Sequence, residues 1–276
     1  MFSLINRNQE EKIQQIVETI HSSPIDNISK ELCKLISSIK KDIPVKKRIS
    51  YGRYSIIKKM GLTIYPLLLK NDIDPYSFSF GLYKNEVFDP FVRSLAIQLF
   101  SIYGLEEGKL KIVLSVFEKA GADKQWVVRE CSAGFIRKLI KKYPVEMEKW
   151  YVVMSKSDYP NLRRFSSESI RPVADNKWFK NNPDFCFSIL KNLYEESHPY
   201  PRTSVGNNLS DWSKIDKERV FSIVRNLVDN KNKNSYWIAY RACRNLVKIE
   251  PIRVMNVLGV DEYKYKKNVY IRTNSN

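Results

Sequence analysis

The sequence predicts an all-α protein without a sheet, and two observations support this prediction. The 276 residues include 9 glycines, which is few for a fold of many strands and tight turns. Apolar residues recur at helical spacing, as at Val113, Val116 and Phe117 within residues 110–119. Residues 185–194 and 220–228 show the same spacing, which favours amphipathic helices along much of the chain.

A second pattern repeats on a longer scale: a polar or proline-containing turn, an apolar residue, an arginine and then small residues. The arginines lie 34 to 39 residues apart, at Arg93, Arg129, Arg163, Arg202 and Arg241. A period of about 35–40 residues with two helices per unit is typical of HEAT-like repeats. We therefore predict a curved HEAT-like solenoid of stacked antiparallel helix pairs. Small residues four positions after three of the arginines would let stacked helices approach closely.

The whole chain, residues 1–276, is predicted to form a single HEAT-like domain. Residues 1–85 fit the repeat poorly, although residues 13–20 and 32–39 have amphipathic spacing, and we interpret them as an N-terminal helical cap. Regular repeats occupy residues 86–260. Residues 261–276 are polar and basic, and we expect them to form a frayed tail.

The strongest compositional signal is a formal net charge of +17, from 47 basic and 30 acidic residues. Such a surplus favours polyanions, because Lys and Arg release condensed counterions from phosphates, and duplex DNA is the expected partner. A protein of the membrane surface would concentrate its charge on one amphipathic helix, whereas here the charge is spread along the chain. No apolar run approaches the roughly 20 residues that span a bilayer. We expect a monomeric, cytoplasmic protein, nucleoid-associated if bacterial.

Residue usage argues against several classes of site. The four cysteines have no Cys-x-x-Cys spacing and the chain has two histidines, so a Cys/His metal site is not expected. We find no nucleotide-binding or phosphoryl-transfer motif and no nucleophile–histidine arrangement. The expectation is a protein without metal, nucleotide or other cofactor.

Four segments between residues 126 and 251 point to one family. They read Trp-Val-Val-Arg-Glu (126–130), Arg-Arg-Phe-Ser-Ser-Glu-Ser-Ile-Arg-Pro (163–172), Arg-Thr-Ser-Val-Gly-Asn-Asn-Leu-Ser-Asp (202–211) and Trp-Ile-Ala-Tyr-Arg-Ala-Cys-Arg-Asn-Leu-Val-Lys (237–248). Together they resemble the AlkC/AlkD-type DNA alkylation repair glycosylases, more closely AlkC without the C-terminal immunoglobulin-like domain of some members. Ser169 and Ile170 stand where AlkC proteins usually carry Gly-Thr. Trp178 lies slightly farther from the Arg-Pro pair than the aromatic residue of AlkC.

This resemblance implies a solenoid that holds duplex DNA in a basic concave face and removes N3- and N7-alkylated purines without metal or cofactor. The predicted function is that of a DNA-3-methyladenine/7-methylguanine-type glycosylase, a DNA repair hydrolase. The family also contains paralogues thought to lack glycosylase activity. A non-catalytic DNA-binding paralogue is therefore the alternative, followed by a HEAT scaffold for an acidic protein partner.

The chemistry of such a reaction calls for carboxylates. An alkylated purine already carries positive charge and leaves without a general acid, so the enzyme must stabilise an oxocarbenium-like sugar and position a water. Glu130, Glu168 and Asp211 are the candidates, each expected near the start of a repeat helix on one common face. By the resemblance, Asp211 activates water and stabilises the sugar cation, while Glu168 and Glu130 complete an acidic pocket. Alternatively, Glu130 and Glu168 form salt bridges with neighbouring arginines.

Two tryptophans are candidates for contact with the base or sugar, because an aromatic face stabilises a nearby cation by roughly 0.5–2 kcal/mol. Trp126 lies one helical turn from Glu130, and Trp178 follows a polar loop at residues 175–177. For both, the alternative is a packing role at the start of a helix.

Repeat arginines that stack into a ladder would follow a DNA backbone and contact its phosphates. In the alternative, the first arginine of each unit bonds the neighbouring repeat, which makes the additional arginines, Arg164 and Arg244, the better phosphate ligands. The full set of predicted DNA-binding residues is Arg129, Arg163, Arg164, Arg202, Arg241, Arg244 and Lys248.

Overall fold

The computed structural model describes residues 3–48, 50–85, 89–173 and 176–272. The chain divides into two compact units, Met1–Lys142 and Tyr143–Asn276, each built mainly from α-helices. The predicted all-α fold of stacked helix pairs is therefore confirmed. Within the described ranges, no helix combines the length and apolar character that crossing a membrane requires.

The first unit contains seven described α-helices and two short 3-10 helices. The α-helices are α1 (Arg7–Glu18), α2 (Ile25–Asp42), α3 (Arg53–Lys70), α4 (Pro75–Lys84), α5 (Pro90–Glu106), α6 (Leu110–Gly121) and α7 (Trp126–Phe135), and the 3-10 helices are Val45–Lys47 and Ile136–Lys141. Helix α5 packs against α3, α4, α6 and α7. Eleven consecutive residues of α5, from 92 to 102, are buried, as expected for a helix that is covered on all sides.

The second unit contains eight described α-helices, one 3-10 helix and a two-stranded hairpin. The α-helices are α8 (Pro144–Ser155), α9 (Pro160–Ser169), α10 (Lys177–Asn181), α11 (Pro183–Lys191), α12 (Pro199–Trp212), α13 (Lys217–Asp229), α14 (Lys233–Ala242) and α15 (Pro251–Leu258), with a 3-10 helix at Leu246–Lys248. Helix α12 packs against α9 on one side and α14 on the other. Gly206 permits the approach to α14, because a Cβ at this position would lie 2.9 Å from Cβ of Arg241.

The positions of the repeat arginines follow from where their helices begin. Helices α9 and α12 start with proline, which suits the first helical position because its φ is pre-set and its missing N–H is not needed there. Arg163 and Arg202 consequently lie fourth in their helices. Arg241 lies ninth in α14, because Asn232 caps that helix and it begins at Lys233. The fifth arginine of the predicted pattern is therefore not equivalent to the others.

The expectation of a frayed tail without any sheet is wrong for residues 262–271. Strands β1 (Glu262–Tyr265) and β2 (Asn268–Ile271) form an antiparallel hairpin, in which Tyr265 pairs with Asn268. Tyr263 is fully buried and its ring stacks on that of Tyr240, with centroids 4.3 Å apart. The buried Tyr263 thus anchors a segment that we expected to be frayed because it is polar and basic. Residues 273–276 of the predicted tail lie outside the described residues.

Candidate active site

Two acidic side chains from neighbouring repeats of the second unit meet on one arginine. Arg171 Nη1 lies 2.5 Å from Glu168 Oε1, and Arg171 Nη2 lies 2.5 Å from Asp211 Oδ2. Arg171 Nε also donates to Asp211 Oδ2, at 3.0 Å. We call Glu168, Arg171 and Asp211 the carboxylate cluster. It joins the segment that follows α9 to α12.

Glu168 and Asp211 lie in the last turns of α9 and α12, not near the helix starts as the sequence suggested. The reason is that these helices begin at Pro160 and Pro199, upstream of the repeat arginines. The C-terminal end of a helix carries partial negative charge, which disfavours carboxylates there. Pairing with nearby cations offsets this unfavourable position.

Further polar side chains surround the cluster. Glu168 Oε2 accepts a hydrogen bond from Ser204 Oγ at 2.8 Å and lies 3.6 Å from Arg164 Nη2. Asp211 Oδ1 lies 3.4 Å from Lys214 Nζ and 4.0 Å from Arg244 Nη2. The side chains of Glu168 and Asp211 are 10% and 14% exposed, so both are largely shielded from water.

Burial alone would raise the pKa of Glu168. The charges of Arg164 and Arg171, with hydrogen bonds from Arg171 and Ser204, outweigh burial and lower the pKa of Glu168 below its ordinary value. Burial likewise opposes the charge of Arg171, but Glu168 and Asp211 outweigh it and raise the pKa of the guanidinium. Glu168 is therefore ionised at neutral pH beside a permanently charged Arg171.

Two of the predicted DNA-binding arginines share one partner beside the cluster. Arg241 Nε and Arg244 Nη1 both donate to Asn207 Oδ1, at 2.9 and 2.6 Å, and Arg244 Nε donates to Ser210 Oγ at 2.9 Å. Burial, and then the charge of Arg244, lower the pKa of Arg241. Asn207 thus holds two guanidinium groups together on the α12 side of α14.

The arginines at the fourth helical position make contacts within and between repeats. Arg163 Nε and Nη2 donate to the carboxylate of Glu196 at 2.6 and 3.0 Å, and Arg202 Nη1 donates to Asn234 Oδ1 at 2.7 Å. Arg129 Nη1 donates to the carbonyl oxygens of residues 123 and 124. Arg163 Nη1 donates to the equivalent carbonyls, at residues 157 and 158. The pairs Arg163–Glu196 and Arg202–Asn234 are contacts of the inter-repeat alternative, whereas the carbonyl contacts of Arg129 and Arg163 are local. A phosphate role for these arginines is still a prediction.

The remaining predicted site residues lie in several places. Trp126, at the start of α7, is 65% exposed, and Glu130, in the same helix, is also exposed; both belong to the first unit. Lys248 is exposed at the end of its 3-10 helix. Trp178 makes edge contacts with the rings of Phe179 and Phe185 and lines a cavity of about 440 Å³. That cavity is not lined by the carboxylate cluster, and residue 175 of the loop before Trp178 lies outside the described residues.

The site residues predicted from the sequence do not include Arg171, Ser204 or Asn207. Arg171 follows Glu168 by three residues, a spacing that places side chains together on a helix and was the available signal. Ser204 lies 36 residues after Glu168, which is one repeat length. Contacts one repeat apart follow from the stacking of α9 on α12, and the repeat period alone does not say which side chains meet.

The arrangement provides two shielded carboxylates with fixed orientations and a net surplus of positive charge around them. Shielded carboxylates interact strongly with a cation that forms nearby, because little water screens them. Among the described residues, no group of three or more His, Cys, Asp or Glu side chains is placed to hold a metal ion.

Several solved structures of other proteins have a similar fold. No protein-family model and no curated protein matches the sequence. The Pseudomonas fluorescens alkylpurine DNA glycosylase AlkC, in a structure bound to DNA containing an abasic site analog, matches with a TM-score of 0.58 and 20% identity, over 93% of this chain and 67% of that chain. AlkD2 from Streptococcus mutans matches with a TM-score of 0.56 and 24% identity, over 76% of this chain and 97% of that chain. Another Streptococcus mutans UA159 structure, smu.31, has a TM-score of 0.54 and 23% identity over the same shares. The chain thus shares the all-helical repeat fold of the AlkC and AlkD-type proteins.

Proposed function

We propose that the protein is a DNA glycosylase that excises positively charged N3- and N7-alkylated purines from duplex DNA. The observation that carries this proposal is the meeting of Glu168 and Asp211, from consecutive repeats, on Arg171. The fold shared with AlkC, an alkylpurine DNA glycosylase solved with DNA, and the net charge of +17 support the same activity.

Asp211 is assigned the central chemical role. The bond between C1′ and the purine nitrogen breaks, and its electron pair neutralises the cationic base, which leaves without being protonated. The sugar then carries the positive charge, and an adjacent carboxylate stabilises it. Asp211 accepts a proton from the attacking water, whose oxygen forms the new bond to C1′.

Glu168 and Arg171 are assigned supporting roles. Glu168 contributes a second negative charge, and its hydrogen bond from Ser204 fixes its orientation. Arg171 contacts both carboxylates and holds Asp211 in a single orientation. A fixed carboxylate stabilises developing charge without reorganisation during the reaction, which is the main advantage of such a site over water.

We assign the cavity-lining Trp178 to contact with the DNA base or sugar. The DNA contact of the exposed Trp126 and the acidic role of Glu130, both in the first unit, rest on the sequence alone. The arginines at positions 129, 163, 164, 202, 241 and 244, with Lys248, are assigned to the phosphates. DNA is bound by a monomer and without a nucleotide cofactor in this proposal. In this proposal the excised bases include 3-methyladenine and 7-methylguanine.

One observation favours a second candidate, a non-catalytic DNA-binding protein. Arg171 pairs with both Glu168 and Asp211, whose side chains are 10% and 14% exposed, so the cluster also has the properties of a purely structural ion-pair network. Duplex DNA methylated at purines, incubated with the protein and analysed for free bases by chromatography, separates the two. Release of methylated purine above the spontaneous rate supports the glycosylase. Duplex binding without release supports the non-catalytic protein.

A further inference from the structure

The turn of the C-terminal hairpin presents two adjacent lysines to solvent. Lys266 and Lys267 form the two-residue connection between Tyr265 and Asn268, and both are exposed. Lys264 and Arg272, nearby, pair with Glu262 and Asp261. In the described part of the chain, neither turn lysine lies within ion-pairing distance of a carboxylate. The turn is therefore a local concentration of uncompensated positive charge.

Lysine is an uncommon residue for the backbone conformation that Lys266 adopts. Lys266 has φ = 57°, in the left-handed region where glycine or asparagine is favoured in hairpin turns. A lysine there disfavours the turn relative to those residues.

The hairpin is held firmly enough to present a fixed surface. Tyr263 stacks on Tyr240 and donates its hydroxyl hydrogen to the carbonyl oxygen of Tyr240 at 2.7 Å. The hydroxyl of Tyr240 accepts from the backbone N–H of Lys264 at 2.8 Å. Gly259, with φ = 67°, ends α15 and turns the chain towards β1. Four residues per strand extend the hairpin by about 13 Å.

A continuous set of contacts connects the hairpin with the carboxylate cluster. Tyr240, which holds β1, directly precedes Arg241, and Arg241 shares Asn207 with Arg244. Arg244 Nη2 in turn lies 4.0 Å from Asp211 Oδ1. Tyr240, Arg241 and Arg244 thus connect the base of the hairpin with the carboxylate cluster through α14 and the segment that follows it.

We propose that the hairpin is a second DNA-contacting element, whose Lys266 and Lys267 bind backbone phosphates of duplex that flanks the base in the active site. This inference rests on the proposed function, because it takes the carboxylate cluster as the position of the damaged nucleotide. Two lysines on a β-turn are better suited to bind phosphates than to recognise base edges. The ammonium group of lysine is a compact charge and lacks the planar, bidentate donor geometry of arginine.

The test compares salt dependence of binding to undamaged duplex. Lys266→Asn with Lys267→Gln removes both charges and keeps the turn, because asparagine tolerates the left-handed conformation. The slope of log K against log salt should fall by up to about 1.8 units, and by up to about 0.9 units for Lys267→Gln alone. Excision at saturating methylated duplex should keep the wild-type rate. An unchanged near-UV circular dichroism spectrum checks that the Tyr240–Tyr263 stack persists.

A matched control lies in the same unit. Lys231, with φ = 55°, and Lys233 are both exposed, and they precede or begin α14 at the end opposite to Tyr240. Lys231→Asn with Lys233→Gln makes the same change in net charge and should lower the slope by less than half as much. Equal slopes for the two double variants, or a hairpin variant that binds like wild type, overturn the hairpin assignment alone. Wild-type protein that binds phosphatidylserine vesicles and no duplex overturns the hairpin assignment and the glycosylase together.

Discussion

Arg171 donates two hydrogen bonds to a single oxygen, Oδ2 of Asp211, from Nη2 at 2.5 Å and from Nε at 3.0 Å. Arg171 follows α9 directly, whereas Asp211 lies in the last turn of α12, so this contact bridges two repeats. Its remaining terminal nitrogen donates to Glu168. The orientation of the proposed catalytic carboxylate therefore depends on one side chain from the preceding repeat.

Replacement of Arg171 tests this dependence. Arg171→Gln should lower the free energy of unfolding by about 3 kcal/mol, because it leaves two shielded carboxylates without their shared cation. Lys214→Gln is the control, since Lys214 also contacts Asp211 but has a side chain that is 60% exposed. An exposed pair contributes little, so this control should change stability by less than about 1 kcal/mol. Equal losses in denaturant titrations would mean that Arg171 has no special role.

Because the pKa of Glu168 is lowered in the folded protein, the free energy of unfolding should depend on pH. This pKa lies below the ordinary value of 4.5, so the unfolded state binds more protons between the two values. The contribution of Glu168 is complete above about pH 5 and is lost as the pH falls through the lowered pKa. Glu168→Gln should therefore flatten the fall in stability below pH 4.5. Parallel acid-unfolding curves for wild type and variant would contradict the pKa shift.

Substitution of Trp126 and of Trp178, the two predicted aromatic site residues, should change the stability of the protein to different extents. Trp126 is 65% exposed, so Trp126→Ala should change the free energy of unfolding by no more than about 0.5 kcal/mol. If Trp126 stacks on DNA, the same variant should bind methylated duplex roughly tenfold more weakly, which corresponds to about 1.4 kcal/mol. Trp178→Ala removes contacts with Phe179 and Phe185 and should destabilise the protein more. Wild-type DNA affinity for Trp126→Ala would remove Trp126 from the interface.

Much of the fold could be predicted from sequence because it depends on local patterns. The helical spacing of Val113, Val116 and Phe117 and the arginine period both report structure that forms over short stretches. The register of Arg241 could not be predicted in this way, because it depends on the cap at Asn232, which starts α14 at Lys233, eight residues before the arginine. The hairpin was missed since its one buried residue, Tyr263, is fixed by Tyr240, 23 residues earlier.

The candidate site was predictable in its residue types but not in its geometry. The sequence singled out Glu168 and Asp211, and the resemblance assigned their roles. That both meet Arg171 depends on how α12 packs against α9, for example through the hydrogen bond that Asn208 Nδ2 donates to the carbonyl oxygen of Ser167 at 2.7 Å. Spacing in the chain does not determine this packing. Glu130 and Trp126 belong to the other compact unit, and their predicted roles are still to be tested.

The most direct measurement is single-turnover release of methylated purine from duplex DNA by wild type and Asp211→Asn. Asparagine is nearly isosteric with aspartate, so the variant should keep its fold and its affinity for duplex while excision falls by at least ~100-fold. Asp229→Asn, the same change at an exposed position at the end of α13, should excise at the wild-type rate. Wild-type excision by Asp211→Asn would contradict the role of Asp211, and no release by the wild-type protein would contradict the glycosylase itself.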